Sequence, residues 1–207
     1  MTLAQQLAQG AKELGISLSA EAQQRLLQYL ALLQKWNRVY NLTAVRETQK
    51  MVSEHLLDCL AVAPCIGKNT ILDVGSGAGL PGIPLALALP KAQLTVLDSS
   101  HKKAAFLQQA VTELELGNVA VVCERVENWK PAAPFEVVIS RAFSDLGEFA
   151  ALAGRHVAEG GYLAAMKGVH PYDEIGQLPQ GWRVRQTLPL TVPGLRKQRH
   201  LVVVEST

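Results

Sequence analysis

Apolar residues recur along this chain with two different periods, and the change falls near residue 70. In the first part Leu3, Leu7, Ala11 and Leu14 lie three or four apart, which predicts a short helix stopped by Gly15. Ser19 is placed to cap a second helix running to about Trp36, with Leu26, Leu27, Leu30, Leu33 and Trp36 on one stripe. After the polar break NRVYNLTAVRET, the positions Met51, Val52, Leu56, Leu60 and Ala61 predict a third helix from about Glu47 to Ala63, ended by Pro64.

Beyond residue 70 short β-branched runs take over: ILDV (71–74), LTVLD (94–98), VAVV (119–122), FEVVIS (135–140) and GYLAAM (161–166). Helix candidates lie between them at about 82–89, 101–115 and 145–158. Strands apolar on both faces that alternate with helices predict a parallel, doubly wound sheet. The tail differs. WRVRQTLPL (182–190) and HLVVVE (200–205) have only the turn-rich TVPGLRKQR between them, which predicts an antiparallel hairpin on the sheet edge. The expected fold class is α/β: a Rossmann-like, mostly parallel seven-stranded sheet with a C-terminal antiparallel hairpin and an N-terminal helical extension. That layout resembles a class I S-adenosylmethionine-dependent methyltransferase more than a dehydrogenase. The expected organisation is an extension over 1–65 packed on a core domain over 66–207, forming one compact unit.

Composition narrows the class. A chain of 207 residues that is 48% hydrophobic can bury a sizeable core, so disorder is excluded as its dominant state. Cys59, Cys65 and Cys123 form no CxxC pair, which argues against a disulfide scaffold and a structural zinc site; no metal is expected. The N-terminus lacks the basic and apolar regions of a secretory signal. The longest apolar run, Leu80 to Pro90, is about half a membrane span and contains Pro81 and Pro84. A soluble cytoplasmic protein with no membrane contact, acting as a monomer, is expected. The formal charge of +2 hides a division: residues 1–50 carry +3, residues 51–180 carry −5 and residues 181–207 carry +4. Basic ends around an acidic middle suit a polyanionic partner bound over a cationic ligand, although scatter over a solvated surface gives the same sums.

The sharpest local signal is DVGSGAGLPG, from Asp73 to Gly82, which follows a predicted strand and opens a predicted helix. Gly75, Gly77 and Gly79 allow a tight turn that brings bare backbone against a ligand. A dinucleotide loop needs G-x-G-x-x-G directly after the strand. Counted from Gly75 the sixth position is Leu80 and the register fails; counted from Gly77 it ends on Gly82, but the strand stops too early and Pro81 sits inside. An acid two residues before the first glycine, as Asp73 is, resembles instead the S-adenosylmethionine loop, where a carboxylate favours the ligand's ammonium and sulfonium; loop bracing is the plainer role. Asp98, ending the second strand, is placed to accept ribose hydroxyl hydrogens in either nucleotide family. The loop Cys123–Glu127 sits where an adenine edge would reach.

Missing motifs also inform. The fourth strand ends in ISRAF rather than the N/D-P-P-aromatic sequence used on exocyclic amines, and no late strand carries a Pro-Cys or Thr-Cys nucleophile. No Ser/His/Asp arrangement, P-loop or metal spacing is evident. The nucleophile is expected to belong to the substrate.

Together the stretches QKWNRVYNLTAVRE (34–47), SEHLLDCLAVAP (53–64), ILDVGSGAGLPGIPLA (71–86), LDSSHKKAAFL (97–107), RVEN (125–128), VVISRAF (137–143), LAAMKG (163–168) and RHLVVVE (199–205) resemble the bacterial RsmG family, also called glucose-inhibited division protein B. They run in order over nearly the whole length. The resemblance implies a methyltransferase acting on guanine N7 in the 530 loop of 16S rRNA, presented within the small ribosomal subunit, with S-adenosyl-L-methionine as cofactor. It implies cofactor contacts at Gly75, Leu80, Val126, Glu127 and Arg141. Guanine N7 is an unprotonated acceptor at neutral pH, so it can attack a methyl group without a general base. Arg141 is the expected catalytic-site residue by positioning, its fork suiting either guanine O6 or the cofactor carboxylate.

Other residues keep two readings each. Lys167 meets an RNA phosphate or is a solvated rim lysine. His55 and Asp58 bond to each other or close over the cofactor, with a structural role for the histidine the plainer alternative. Trp36, Tyr40 and Asn41 lock the extension onto the sheet or stack a base. Arg183, Arg185, Arg196, Lys197 and Arg199 contact phosphates, or the first of them protect an edge strand. A nucleotide-dependent oxidoreductase and a non-catalytic cofactor-binding ribosome assembly factor remain the competing functions.

Overall fold

A computed structural model of the chain describes residues 1–143 and 145–207. Helix α1 (Leu3–Glu13) starts in a capping box: Thr2 accepts from the Gln5 backbone while the Gln5 side chain reaches back to the Thr2 N–H. Helix α2 (Ala20–Tyr40) starts at Ser19, whose hydroxyl accepts from Ala22 N at 3.1 Å. It runs four residues past the predicted end. Trp36 and Tyr40, one turn apart, pack with ring centroids 5.0 Å apart and planes tilted by 38°, and Asn41 in the left-handed region (φ 49°) closes the helix.

The third predicted helix is not uniform. A short α3 (Thr48–Met51) widens into a π-helical segment over Val52–Leu57, narrows to α4 (Asp58–Leu60) and ends in a 3₁₀ turn at Ala63–Cys65. Single π turns within helices concentrate at functional sites.

The remaining elements alternate: β1 (Thr70–Val74), α5 (Gly82–Ala88), β2 (Gln93–Leu97), α6 (His101–Glu113), β3 (Val119–Val122), β4 (Phe135–Ser140), α7 (Leu146–Ala153), β5 (Val157–Lys167), a single turn α8 (Tyr172–Ile175), β6 (Trp182–Pro189) and β7 (His200–Ser206). The seven strands form one sheet in the order β3-β2-β1-β4-β5-β7-β6, parallel except for β7, which runs antiparallel to both of its neighbours. The expected hairpin closes the edge. Helix α7 ends at Ala153, short of the predicted 158, because β5 begins at Val157. β5 opens with an irregularity: Phe135 pairs Val157 but Val137 pairs Tyr162. Gly160 at φ 71° and Gly161, where a Cβ would sit 2.7 Å from the Glu136 carbonyl, make that bend feasible.

Alternation along the strands divides the core. Leu72, Val74, Val138 and Leu163 face α7 with its Phe149 and Ala153, while Ile71, Val137, Ile139 and Ala164 face the layer containing Val62, Ile66 and Leu85. The N-terminal helices share a further cluster with α5 and α6, in which Leu26, Tyr29 and Leu33 pack with Ile83, Phe106 and Leu107. Each such fully buried side chain contributes roughly 1.5–3 kcal/mol. Among the described residues no helix is long and apolar enough to cross a membrane.

Candidate active site

The strand order reverses between β1 and β4, and in open α/β sheets ligands bind where it does, beyond the C-terminal strand ends. Two loops meet there. The glycine loop after β1 and the Ser140–Phe143 turn after β4 touch so closely that a Cβ on Gly75 (φ 67°) would lie 2.9 Å from the Ala142 Cβ. Ser140, 2% exposed, ties them: its hydroxyl donates to the Val74 carbonyl at 2.7 Å and accepts from Ala142 N at 3.1 Å.

Two adjoining cavities open at this junction, sharing Gly75 and Ala142. The inner one, of about 190 Å³, is bounded by Leu42, Thr43, the loop residues Gly75 to Ala78, Leu80 and Arg141. The outer one, of about 400 Å³, has Asp98 and Lys103 on one side, Glu124 to Glu127 on another, and Phe143 across from them. Of the residues singled out in the sequence, Gly75, Gly77, Leu80 and Arg141 line the inner cavity, and Asp98, Val126 and Glu127 line the outer one.

Neither Asp73 nor Gly79 lines either of these two cavities. Asp73 shares its sheet face with Ile71 and is fully buried beneath the loop, where Oδ2 accepts from Ser76 Oγ at 2.5 Å and Gly82 N at 2.8 Å. Burial raises its pKa to about 6 against the lowering effect of those hydrogen bonds. It braces the loop through Ser76 and Gly82. Gly79 (φ 86°) is turned to the core, where a Cβ would fall 2.5 Å from Ile83 and 3.0 Å from Leu107.

Asp98 is held in place from three sides. Oδ2 accepts from Gly77 N at 2.9 Å, Oδ1 from Ser100 N at 2.9 Å, and Lys103 Nζ lies 3.3 Å away. The Val126–Glu127 rim is pinned from behind, since Arg155 Nη2 donates to the carbonyls of Val126, Glu127 and Trp129, and His156 Nε2 contacts the Val126 carbonyl at 2.9 Å.

The outer wall of the inner cavity comes from a loop that sequence reasoning treated as a break. Asn37, buried inside α2, exchanges two hydrogen bonds with the Thr43 backbone at 2.9 and 3.0 Å. Arg46 then clasps the Asn37 carbonyl (2.8 Å) and Asn41 Oδ1 (2.5 Å). Thr43 Oγ1 meets His55 Nε2 at 2.8 Å. Asn37, Thr43 and Arg46 were missed; the available signal was a lone polar residue on the buried stripe of α2. Tyr29 was missed too: it is fully buried and donates to the Ala78 carbonyl at 2.5 Å.

The Asp58 backbone N–H donates to the His55 carbonyl at the end of the π-helical segment, while the two side chains take different partners. His55 goes to Thr43, and burial, followed by the Arg141 charge, lowers its pKa. Asp58 goes to Arg141 and Arg199. Trp36 lies edge-on to Phe106 and donates to Gln109 at 2.9 Å, so it locks α2 onto α6. Lys167, 8% exposed, donates to the Phe143 carbonyl and pairs with Glu174 at 2.7 Å, so it is not a solvated rim group. Arg183 and Arg185 pair with Glu205 at the sheet end remote from the cavities, and Arg185 also covers the Tyr162 ring. Arg196 and Lys197 are exposed on the β6–β7 loop.

Known proteins place this geometry. The chain is 57% identical to the ribosomal RNA small subunit methyltransferase G of Nitrosospira multiformis, over 99% of this chain and 98% of that one. It is 55% identical to the protein of the same name from Laribacter hongkongensis, over 98% of each. Among solved structures it is similar to the O-methyltransferase TomG from Streptomyces achromogenes, with TM-score 0.60 and 15% identity over 93% of this chain and 92% of that one. The mitomycin 7-O-methyltransferase MmcR gives TM-score 0.62 and 14% identity over 91% and 69%. These structures establish the fold as the class I methyltransferase, Rossmann-like sheet. The family described as rRNA small subunit methyltransferase G (GidB) matches residues 22–202, and the chain belongs to it.

Proposed function

We propose that this protein transfers a methyl group from S-adenosylmethionine to N7 of a guanine in 16S rRNA, in the 530 loop, with the small ribosomal subunit as the presented substrate. The observation that carries the reading is the composition of the inner cavity. None of the described residues lining it is a carboxylate, imidazole, amine or thiol; Arg141 is its one charged group. The two hydroxyls on its wall are already engaged, Thr43 Oγ1 with His55 Nε2 and Ser76 Oγ donating to Asp73 Oδ2, so no ionisable acceptor among the described residues lines the cavity itself. It suits an acceptor that arrives already unprotonated, as guanine N7 does. His55 stands behind Thr43 with its pKa lowered and has no place on the wall.

The donor set fits S-adenosylmethionine. Gly77 leaves the loop open, a Cβ there meeting nothing closer than the Gly75 carbonyl at 3.8 Å, and the outer cavity pairs the Asp98 carboxylate with the apolar surface of Val126 and Phe143. Asp98 would hold the ribose hydroxyls, Val126 and Glu127 the adenine edge, and Gly75 with Leu80 the chain leading inward. The bound cofactor supplies a methyl group made electrophilic by its sulfonium. Leu42, Thr43 and Arg141 would then hold the base plane against that end, and this positioning accounts for most of the catalysis; correct placement of two reactants is worth up to about 7–11 kcal/mol. The fork of Arg141 is suited to guanine O6 or to the cofactor carboxylate.

The test is to incubate the protein with methyl-labelled S-adenosylmethionine and undermethylated small subunits, then map the label. Label at guanine N7 in the 530 loop is expected. Label elsewhere, or none, overturns the reading. Arg141→Ala is expected to abolish transfer while the circular dichroism spectrum and melting temperature stay close to those of the parent.

A further inference from the structure

A charge cluster stands beside the inner cavity that neither the loop nor the sheet requires. Asp58 is 1% exposed, and its two oxygens are divided between two guanidiniums: Oδ2 lies 3.3 Å from Arg141 Nη1 and Oδ1 lies 2.7 Å from Arg199 Nε. The partners reach it from distant parts of the chain, Arg141 from the turn after β4 and Arg199 from the residue before β7. One arginine would neutralise the carboxylate. A second leaves the ion-paired trio of Asp58, Arg141 and Arg199 formally cationic, with the neighbouring Lys197 offset by Glu54 at 3.9 Å and Asp73 acting on Arg141 only through the field, without an ion pair among the described residues. Burying charge is costly, and an excess cation makes it more so unless something outside the protein completes the cluster.

The unused donors show where completion would come from. Arg199 spends Nε on Asp58 and Nη1 on the Gln198 carbonyl at 3.0 Å, so Nη2 remains without a protein partner among the described residues. Arg141 spends Nη1 on Asp58 and on the Glu54 carbonyl at 3.4 Å, and keeps Nε and Nη2. The two side chains retain 29% and 19% of their surface. Arg141 lines the inner cavity, whereas Arg199 does not. Gly168, whose Cβ position lies 3.8 Å from Arg199 Nη1, gives Arg199 an unencumbered neighbour on its other side.

We propose that Asp58 is a positioning residue with two outputs: it aims Arg141 into the cavity and, through its other oxygen, presents Arg199 outside it as a binding site for one backbone phosphodiester of the RNA strand that carries the target base. This rests on the RNA methyltransferase reading. A fixed planar fork on a rigid carboxylate suits a phosphate, and a phosphate contact of this kind sets strand register without reading sequence. The same carboxylate thereby ties strand docking to the geometry of the cavity.

The experiment measures binding of undermethylated small subunits, in the presence of S-adenosylhomocysteine, across a salt series, beside S-adenosylmethionine affinity by calorimetry. For Arg199→Ala the expected result is roughly tenfold weaker subunit binding, a salt slope smaller by about one, and cofactor affinity within about twofold of the parent. Arg199→Lys keeps the charge but loses the fork on Asp58, so it is expected to retain the slope and still bind several-fold more weakly. Asp58→Asn is expected to weaken subunit binding at least as much as Arg199→Ala does, since Arg141 loses its aim too, and the double variant to lose less than the sum of the two single losses. An unchanged slope in Arg199→Ala overturns the phosphate site. Parent-like affinity in Arg199→Lys, or additive losses in the double variant, overturns the positioning role of Asp58. Arg199→Ala leaves Asp58 paired with Arg141, so its slope decides the first point even if Asp58→Asn melts. Failure of the parent protein to bind or label subunits marks the failure of the broader reading instead.

Discussion

Asp73 and Asp98 stand at the C-terminal ends of neighbouring strands, both almost inaccessible, and both hydrogen-bond the same glycine loop. Asp73 grips it from beneath through Ser76 and Gly82, and its other oxygen, Oδ1, is buried with no hydrogen-bond partner among the described residues. Asp98 grips it through Gly77, spends its second oxygen on Ser100, and faces the outer cavity beside Lys103. Residue type and burial are therefore nearly the same while the roles differ. The side of the sheet decides: Asp73 follows Ile71 into the helical layer, whereas Asp98 lies just past the end of β2, where the chain leaves the sheet. One carboxylate shapes the site and the other furnishes it.

The largest expected consequence is in stability against pH. Burial raises the folded-state pKa of Asp73 from 3.8 to about 6, so the folded protein holds this proton more tightly than the unfolded chain. The sign is the reverse of a salt-bridged aspartate. The contribution is complete below pH 4 and declines as pH rises through 6, by about 3 kcal/mol in all. Asp73→Asn keeps an acceptor for Ser76 and Gly82 but cannot ionise. Urea titrations from pH 4 to 8 should show the stability of the parent falling relative to this variant over that window, then running parallel to it. A difference that does not change with pH would mean the carboxylate is not desolvated.

Asp98→Ala is expected to act on the ligand instead. Hydrogen bonds to a charged acceptor are worth about 1.5–3 kcal/mol, so S-adenosylmethionine should bind about 10- to 100-fold more weakly by calorimetry. If Asp98→Ala bound the cofactor normally while Asp73→Asn did not, the division between shaping and furnishing would be reversed.

That division was only partly legible in the amino-acid sequence. The mostly parallel sheet and its edge hairpin follow from hydrophobic period, and the cavity-lining glycines Gly75 and Gly77 from a motif between strand and helix, whereas the strand order emerges only in the fold. What stayed hidden depends on direction. A two-residue alternation marks Asp73 as sharing a face with Ile71, but does not say which face carries the ligand. The π turn at Val52–Leu57, which carries His55 and ends at Asp58, has no sequence signature in an apolar helical stripe. Lys167 and Arg199 looked like free surface charges because their partners, Glu174 and Asp58, are brought to them by the fold; Asp58 lies 141 positions from Arg199. The wall formed by Leu42 and Thr43 depends on Asn37, a polar residue whose burial becomes evident only when the helix around it is seen to continue to Tyr40.

The smallest expected effect sharpens the comparison by adding a third hold on the loop. Tyr29, in the N-terminal extension, donates to the Ala78 carbonyl at 2.5 Å, and Ala78 lines the inner cavity. Tyr29→Phe preserves the ring that packs near Phe106 and removes only the donor. An unsatisfied carbonyl at a 5% exposed residue costs on the order of 1 kcal/mol. If the hold mainly braces, as that of Asp73 does, the loss should appear in the urea midpoint, with cofactor affinity within about twofold. If the hydroxyl also sets the cavity wall, the affinity loss should equal or exceed the stability loss. Either way the variant reads the extension separately from the sheet, since Asp73 and Asp98 both belong to the sheet side of the loop and Tyr29 does not. A variant identical to the parent in both measurements would leave the extension with no part in shaping the loop.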